Sequence, residues 1–335
     1  MTTEKIQTTT AMVLEQIGGN FIKKTIDLPT IESNQVKIEI YASGINPLDT
    51  KIWLGQAEHA KQLLPAVLGM DLAGKVVEKG NNVTRFEIGD EVFGLAGGVG
   101  GNQGTLARFI VVDEDLLAKK PINMNMVETA ALPLIFITAW EGLVDRAKVD
   151  QNKTVFIQAG AGGVGHMAIQ IAKAFRATVY ATAFEKDYDL IRSYGATPIS
   201  FAEMESGSYI DTYTNGKGFD IVFDTLGGTF LDAAFKAVKI YTGHVVTSLG
   251  WGTHALAPLS FRGATYSGVF TLLPLITGKG KAHHGDILSE ATRLVESGKL
   301  NVRLHPGDYN FDNIDEAHSI VRQGKAKGKV VVHIK

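Results

Sequence analysis

The sequence predicts an α/β fold in which a doubly wound parallel sheet is joined to a second domain of short strands. Three observations lead to this prediction. From about residue 125 onward, β-branched apolar segments alternate with helical patterns. The first of these segments runs directly into a glycine-rich turn. The residues before them form short alternating segments separated by Gly and Asn, which is typical of a small barrel.

The length of the chain favours two domains, because 335 residues exceed the roughly 250–300 at which a single core stops growing. We expect residues 125–274 to form the parallel-sheet domain and residues 1–124 with 275–335 to form the other. After the sheet, the chain offers a helix near Asp286–Ser297 and two short terminal β segments. These are too little for a domain of their own, so we expect them to return to the N-terminal barrel.

The predicted strands fall into two groups. In the N-terminal part they are Val36–Ile40, Gly69–Glu78, Glu91–Gly94 and Arg108–Val112. In the second part they are Thr154–Gln158, Thr178–Thr182, Thr197–Phe201, Asp220–Asp224, His244–Ser248 and Thr265–Phe270. Helical patterns separate several of the latter, at Val164–Phe175, Glu185–Tyr194 and Phe230–Ile240. This order buries both faces of a parallel sheet and places ligands at the carboxyl ends of its strands.

The glycine turn has the pattern G-x-G-x-x-G and predicts a dinucleotide-binding sheet. Gly160 can make the tight turn, Gly162 leaves room for a pyrophosphate, and Gly165 lets the helix pack on its strand. Together with Gly163 and Val164, these residues open a helix whose first N–H groups and dipole favour phosphate.

Composition narrows the partner to a small molecule. The 33 basic and 35 acidic side chains give a net charge of −2, which attracts neither nucleic acid nor an anionic membrane. The absence of cysteine excludes disulfides, thiolate nucleophiles and zinc sites that need sulfur. The start, MTTEKIQTTT, lacks the order of a signal peptide, and the longest apolar stretch is only half a membrane span. We therefore expect a cytoplasmic protein.

Four further motifs accompany the glycine turn, namely Ser43–Pro47, Gly69–Gly74, Phe136–Trp140 and Gly324–Lys329. With these motifs the chain resembles the medium-chain dehydrogenase/reductase superfamily, in its zinc-free quinone oxidoreductase branch that includes zeta-crystallin. The resemblance implies a chaperonin-10-like β-barrel domain, a dinucleotide-binding domain and an active site in the cleft between them. It also implies NADPH as cofactor and metal-free hydride transfer to a quinone or an α,β-unsaturated carbonyl compound.

Zinc-dependent relatives place cysteine where Asn46 stands and histidine where Met70 stands. The resemblance therefore implies that the metal ligands are missing, although Asp49 and Asp71 leave an oxygen-only site open. Asn46 is a candidate catalytic residue, because its amide can hydrogen-bond a substrate carbonyl or the cofactor ribose. An Asx turn before Pro47 is the alternative reading.

Two further residues are predicted at the catalytic site. Asp49 is either catalytic or the cap of the following turn. Thr138 follows an apolar run and faces the nicotinamide by family position, unless its hydroxyl bonds back to its own helical turn. Lys51 takes the place of a tyrosine that several relatives carry, and we expect it to be an exposed lysine.

Cofactor specificity depends on the end of the second strand of the sheet. By resemblance, Ala183 replaces the carboxylate that binds the ribose hydroxyls of NAD, and Lys186 lies within reach of a 2′-phosphate. Glu185 lies at a similar spacing and leaves NADH open. Contacts to the cofactor are also predicted for Gly268, Val269 and Phe270, near which the resemblance implies that two copies pair as a homodimer.

Other features are interpreted as structural. The segment Gly94–Gly104 is rich in glycine, but a β-rich region follows it, so we expect a flexible loop. We expect the pair His283 and His284 to be solvated ahead of a helix. His166 should pack within the first helix of the sheet.

A second hypothesis is a catalytically weak NADPH-binding protein with a redox-responsive or structural role. It stays open because the sequence reveals no assured proton donor. The natural acceptor is beyond reach, since the shape of a pocket is a tertiary property.

Overall fold

The computed structural model describes residues 7–335; residues 1–6, on which the signal-peptide prediction partly depends, lie outside the described residues. The chain divides into two compact units. Unit 1 comprises the residues up to Leu134 together with Leu272–Lys335, and unit 2 is the continuous stretch Ile135–Thr271. Unit 1 has antiparallel sheets and unit 2 a parallel one, so the predicted α/β fold class is confirmed.

Strands and helices are numbered along the whole chain. The strands are β1 (Thr8–Leu14), β2 (Phe21–Asp27), β3 (Gln35–Ile45), β4 (Ala66–Val67), β5 (Asp71–Lys79), β6 (Glu91–Leu95), β7 (Phe109–Asp113), β8 (Leu117–Lys119), β9 (Thr154–Ile157), β10 (Thr178–Ala183), β11 (Thr197–Ser200), β12 (Ile221–Asp224), β13 (His244–Thr247), β14 (Thr265–Gly268) and β15 (Val330–His333). The α-helices are α1 (Pro47–Trp53), α2 (Met126–Ala130), α3 (Pro133–Trp140), α4 (Gly163–Ala174), α5 (Tyr188–Ser193), α6 (Phe201–Ser206), α7 (Ser208–Thr214), α8 (Thr229–Ala237), α9 (Ala257–Ser260), α10 (Leu273–Thr277), α11 (Lys281–Glu296) and α12 (Ile314–Arg322).

The larger sheet of unit 1 has the order β15-β3-β5-β6-β8, with β7 also paired to β3. A smaller sheet has the order β2-β1-β4. Strand β3 is long and central because Val36, Ile38 and Ile40 alternate toward the core, where all three are buried. With its 11 residues, β3 carries the chain from one end of the sheet to the other.

The parallel sheet of unit 2 has the order β11-β10-β9-β12-β13-β14. Counted from β9 as the first strand, this is 3-2-1-4-5-6, the Rossmann order. Every residue of β12 is buried, as expected for a central strand covered on both faces. The order reverses between β9 and β12, and ligands bind such sheets at the carboxyl ends of strands at that point.

The helix predicted over Glu185–Tyr194 is confirmed, with a 3₁₀ turn over Glu185–Asp187 that leads directly into α5. Other local predictions were wrong. The helix predicted from Asp286 begins five residues earlier as α11, so His283 and His284 lie inside it. His284 is buried there rather than solvated. Of the two terminal β segments, only β15 is a strand, since the other makes isolated bridges such as Leu304 to Lys329.

The glycine-rich segment Gly94–Gly104 is not a loose loop over its whole length. It starts within β6, and an added Cβ at Gly97 would lie only 1.8 Å from the backbone oxygen of Gln103. At Gly104 an added Cβ would lie 2.2 Å from the backbone oxygen of Leu68. These glycines therefore allow backbone segments to pack against each other.

A membrane-spanning helix is not found among residues 7–335, where every helix is too short or too polar to cross a bilayer.

Candidate active site

The register of the unit 1 sheet brings three distant residues to one end of three neighbouring strands. Strand β15 pairs with β3 so that Val330 lies opposite Ile45, and β3 pairs with β5 so that Gly44 lies opposite Asp71. Lys329 comes just before β15, and Asn46 just after β3. The side chains of Lys329, Asn46 and Asp71 therefore meet although up to 283 positions separate them in sequence.

These three side chains form a buried hydrogen-bonded network. The Asn46 amide donates from Nδ2 to Asp71 Oδ2 at 2.9 Å. The Lys329 ammonium donates to the same carboxylate oxygen at 2.8 Å and to Asn46 Oδ1. The other Asp71 oxygen accepts the backbone N–H of Leu134 at 2.9 Å. All three residues are at least 93 % buried, so the charges of Lys329 and Asp71 compensate each other away from water.

Asp49 lies beside this network and completes the start of helix α1. Asn46 is the N-cap of α1, and Asp49 at its third position accepts the Asn46 backbone N–H at 2.8 Å. Its second oxygen accepts the backbone N–H of Gly69 at 3.1 Å. Burial raises the pKa of Asp49 to about 7, and the neighbouring Asp71 carboxylate adds to the rise. Both carboxyl oxygens are thus already engaged, which supports the capping alternative.

Thr138 lies in α3 of unit 2 and is buried. Its hydroxyl lies 2.9 Å from that of Thr271, so the two threonines form a hydrogen-bonded pair. Lys51 is exposed on α1, as predicted.

The glycine turn of unit 2 follows β9 and opens helix α4. Ala159, with φ of 53°, takes the left-handed position in this turn, which differs from the turn role expected for Gly160. An added Cβ at Gly160 would lie 2.6 Å from Ala181 Cβ on β10, so this glycine allows close contact with the sheet. At Gly165 an added Cβ would lie 2.1 Å from the Ala159 oxygen, which accounts for close packing of α4 on its strand.

The start of α4 fits an anionic ligand. Gly162 is its N-cap, and an added Cβ there would meet only the Ala159 oxygen, at 3.2 Å. The first N–H groups of an α-helix, here including those of Gly163 and Val164, have no carbonyl partner within the helix because no helical turn precedes them. His166 is buried in α4, where its Nδ1 lies 2.9 Å from the Gly162 oxygen. The turn thus leaves space for an anionic group beside the first N–H groups of the helix.

Lys186 lies just beyond the end of β10, in the 3₁₀ turn that follows Ala183. The Lys186 side chain is exposed, and its ammonium lies 5.7 Å from the centre of the Phe184 ring. Glu185 is exposed in the same turn, while Ala183 is buried.

The three residues predicted near the last strand differ in exposure. Gly268 ends β14 with open space where a Cβ would be, and Val269 is buried. The Phe270 ring packs edge-on against Trp251, with 6.1 Å between centroids.

Sequence reasoning missed two polar groups at the carboxyl ends of central strands. Asp224 ends β12 fully buried and accepts hydrogen bonds from the backbone N–H groups of Leu226 and Gly227 and from the Thr247 hydroxyl. Gln158 follows β9, and its buried Oε1 has no hydrogen-bond partner within the described residues. A polar residue at the carboxyl end of a buried strand is the signal that could have identified both.

Lys329 was also missed as a site residue, although its motif was noted. The signal was a lysine directly before the apolar strand Val330–Val332. A charge adjoining a buried strand needs a partner.

Family models match both parts of the chain. Residues 32–122 match the alcohol dehydrogenase GroES-like domain, and residues 196–332 match the zinc-binding dehydrogenase model. The chain is 34% identical over 322 residues to a 2-methylene-furan-3-one reductase of Solanum lycopersicum, covering 93% of this chain and 75% of the relative. It is 34% identical over 334 residues to a chloroplastic NADPH-dependent alkenal/one oxidoreductase of Arabidopsis thaliana, covering 96% and 79%.

A crystal structure agrees with these relatives. An alcohol dehydrogenase superfamily protein from Novosphingobium aromaticivorans superposes with a TM-score of 0.94 at 52% identity, covering 98% of this chain and all of that one. The fold and the site thus define an oxidoreductase with a nicotinamide cofactor. The chain belongs to the medium-chain dehydrogenase/reductase superfamily, which confirms the resemblance seen in its sequence motifs.

The residues do not fit the zinc ion that one family description names. The chain has no cysteine, and a buried methionine, Met70, stands at the histidine position. The Asn46 amide oxygen accepts from the Lys329 ammonium, a cation that would repel a metal ion. Within the described part of the chain, no group of three or more His, Cys, Asp or Glu side chains could hold a metal.

Proposed function

We propose that this protein reduces quinones or α,β-unsaturated carbonyl compounds with NADPH, by hydride transfer without a metal. The observation that carries the proposal is the Asn46 amide. It is buried, its orientation is fixed, and it stands where zinc-dependent relatives bind their metal. A neutral hydrogen-bond donor at that position suits an acceptor that needs its carbonyl oxygen polarised.

The cofactor assignment rests on residues of unit 2. NADPH, when bound, supplies a hydride equivalent of two electrons, so no flavin is required. The first-turn N–H groups of α4 receive the pyrophosphate, and Gly162 keeps their approach open. Lys186 is exposed and gives the 2′-phosphate a cationic partner. Gly268, Val269 and Phe270 are proposed as further contacts.

In unit 1, Asn46 is proposed to donate from Nδ2 to the oxygen of the acceptor. The amide has two N–H bonds, of which one is directed to Asp71. The second can stabilise the negative charge that develops on the oxygen as hydride adds to the β-carbon or quinone ring. Asp49 holds the N-terminus of α1, and Thr138 is proposed to face the nicotinamide. Solvent or an unidentified acid then protonates the resulting enolate or quinol oxygen.

The names of two relatives favour enones among the possible acceptors. The 2-methylene group of 2-methylene-furan-3-one is conjugated to the ring carbonyl, and an alkenal or alkenone likewise contains both a carbon–carbon double bond and a carbonyl group. We therefore propose enones as the first acceptors to test.

The test is an anaerobic assay of NADPH oxidation with a panel of enones and quinones. We expect turnover with at least one acceptor. Asn46→Ala should lower kcat by about 100-fold, the usual effect of losing one donor to a developing oxyanion, with NADPH affinity unchanged. The exposed Asn81→Ala serves as the matched control and should retain full turnover.

Tight NADPH binding with no turnover on any acceptor would instead favour the second candidate, a catalytically weak binding protein. The engagement of both Asp49 oxygens by backbone N–H groups is the observation that keeps this candidate, because it leaves the chain without an assigned acid. Unchanged turnover of the N46A variant would remove Asn46 from the site.

A further inference from the structure

Lys329 is a buried lysine whose ammonium contacts the residue proposed to polarise the substrate. Its side chain is only 5 % exposed, and that of its partner Asp71 is fully buried. Asn46 Oδ1 accepts from this ammonium. We propose that Lys329 is a positioning residue of the reductase site, which acts on the reaction by fixing the orientation of the Asn46 amide. This inference rests on the proposed function.

The orientation is fixed by the chemistry of the two partners. An ammonium can only donate, so it selects the oxygen of the amide, and a carboxylate can only accept, so Asp71 selects the NH₂ group. A flipped amide would place NH₂ against the ammonium and oxygen against the carboxylate, losing both hydrogen bonds. Lys329 and Asp71 thus ensure that Asn46 presents a donor, never an acceptor, to the substrate oxygen.

The backbone around the network leaves room for this arrangement. An added Cβ at Gly44 would lie 3.0 Å from Lys329 Cε, 3.1 Å from Asp71 Oδ2 and 2.5 Å from the backbone oxygen of Ala130. The aliphatic part of the Lys329 side chain therefore passes over Gly44, where only glycine leaves enough room. A purely structural role is a weak explanation for the pair, because well-packed apolar residues stabilise a core as well as a buried ion pair does.

The first experiment compares Lys329→Met with a matched control. Lys37→Met also removes a buried lysine from the unit 1 sheet, where Lys37 pairs with Glu78 at 2.7 Å. Both substitutions should reduce stability. Only K329M should lower kcat, by about tenfold to a hundredfold, with KM for NADPH within about twofold of the native value. K329R keeps the charge and the donors, and should retain more turnover than K329M.

A double-mutant cycle separates positioning from general damage. If Lys329 acts through Asn46, K329M should change kcat by less than about twofold once Asn46→Ala is already present. An equal loss in the native and N46A backgrounds would overturn the proposal. So would an unchanged kcat in K329M, or a K329R variant as slow as K329M.

The second experiment does not depend on turnover. In protein labelled with ¹⁵N-asparagine, the side-chain NH₂ signals of Asn46 are identified by their loss in N46A. We expect K329M to shift or broaden them, K329R to restore them, and K37M to leave them unchanged. Unchanged signals in K329M would refute the positioning role. If K329M shifts the signals but the native protein turns over no acceptor, the positioning role stands and the proposed function is refuted.

Discussion

Asp49 is a carboxyl group that its surroundings make costly to ionise. Its pKa is raised to about 7, whereas an unfolded aspartate titrates near 3.9, so the unfolded chain releases this proton first. The stability that the protonated group contributes is present below about pH 4 and is lost as pH rises through 7.

The matching experiment replaces Asp49 with asparagine, which does not titrate. From pH 4 to pH 8, the unfolding free energy of the native protein should fall relative to that of D49N by on the order of 4 kcal/mol, measured by urea denaturation. Asp90→Asn is the control of opposite sign, because a backbone hydrogen bond from Glu87 lowers the pKa of Asp90. Parallel pH curves for the native protein and D49N would contradict the argument.

Lys186 decides the choice of nucleotide in our proposal. Lys186→Ala should weaken NADPH binding by about tenfold to a hundredfold, the usual value of a hydrogen bond to a charged group, while leaving NADH binding unchanged. Isothermal calorimetry with both nucleotides measures this. Lys217→Ala, which removes another exposed lysine of unit 2, is the control. A preserved preference for NADPH in K186A would remove Lys186 from the cofactor site.

The candidate site could be predicted from sequence only where its residues belong to local motifs. The glycines of the turn and Asn46 stand in short patterns with a chemical reason for each position. Lys329 could be noted only as part of a motif, because its partner Asp71 lies 258 positions away. The pairing registers of β15 and β3 create that contact, and such registers are set by tertiary packing.

At the scale of elements, the glycine turn must both pack closely on its strand and leave room for the cofactor. Single substitutions can test these two requirements separately. Gly165→Ala should destabilise the protein by about 1–3 kcal/mol, the usual cost of overpacking, because its Cβ would collide with a backbone oxygen. Gly162→Ala should leave stability nearly unchanged and weaken NADPH binding, since its Cβ would occupy the approach to the first-turn N–H groups. Thermal unfolding and calorimetry measure the two effects. Equal losses of stability in both variants would contradict this division.

The strands of the parallel sheet were predicted to within two residues at their ends, whereas β1, β2, β4 and β8 of unit 1 were missed. All six strands of the parallel sheet were predicted, because a buried central strand such as β12 has an uninterrupted apolar pattern. The start of α11 was not, because Lys281, His283 and Gly285 lack the apolar periodicity of a helix, and only packing shows that His284 is a core residue. Polar side chains at helix ends thus mislead pattern reasoning.

At the scale of the whole molecule, the edge strand β14 is our candidate for self-association. Among residues 7–335 it pairs with β13 alone, and Thr265, Tyr266 and Gly268 are exposed along it. We expect sedimentation at twice the 36.1 kDa of one chain. Thr265→Lys should shift the equilibrium toward monomer by placing like charges at the contact. Thr197→Lys, on the opposite edge strand β11, is the matched control, and a monomeric native protein would refute the homodimer.

The order in which the chain is synthesised gives the β15 register a further consequence. Asn46 and Asp71 leave the ribosome before any of unit 2, whereas Lys329 follows after all of it. During that interval Asp49 and Asp71 are neighbouring acidic groups without their internal counter-ion, and water must solvate them. Burying the Asp71 carboxylate without its counter-ion is costly, so we expect this end of the N-terminal sheet to stay hydrated until β15 docks and brings in the Lys329 ammonium.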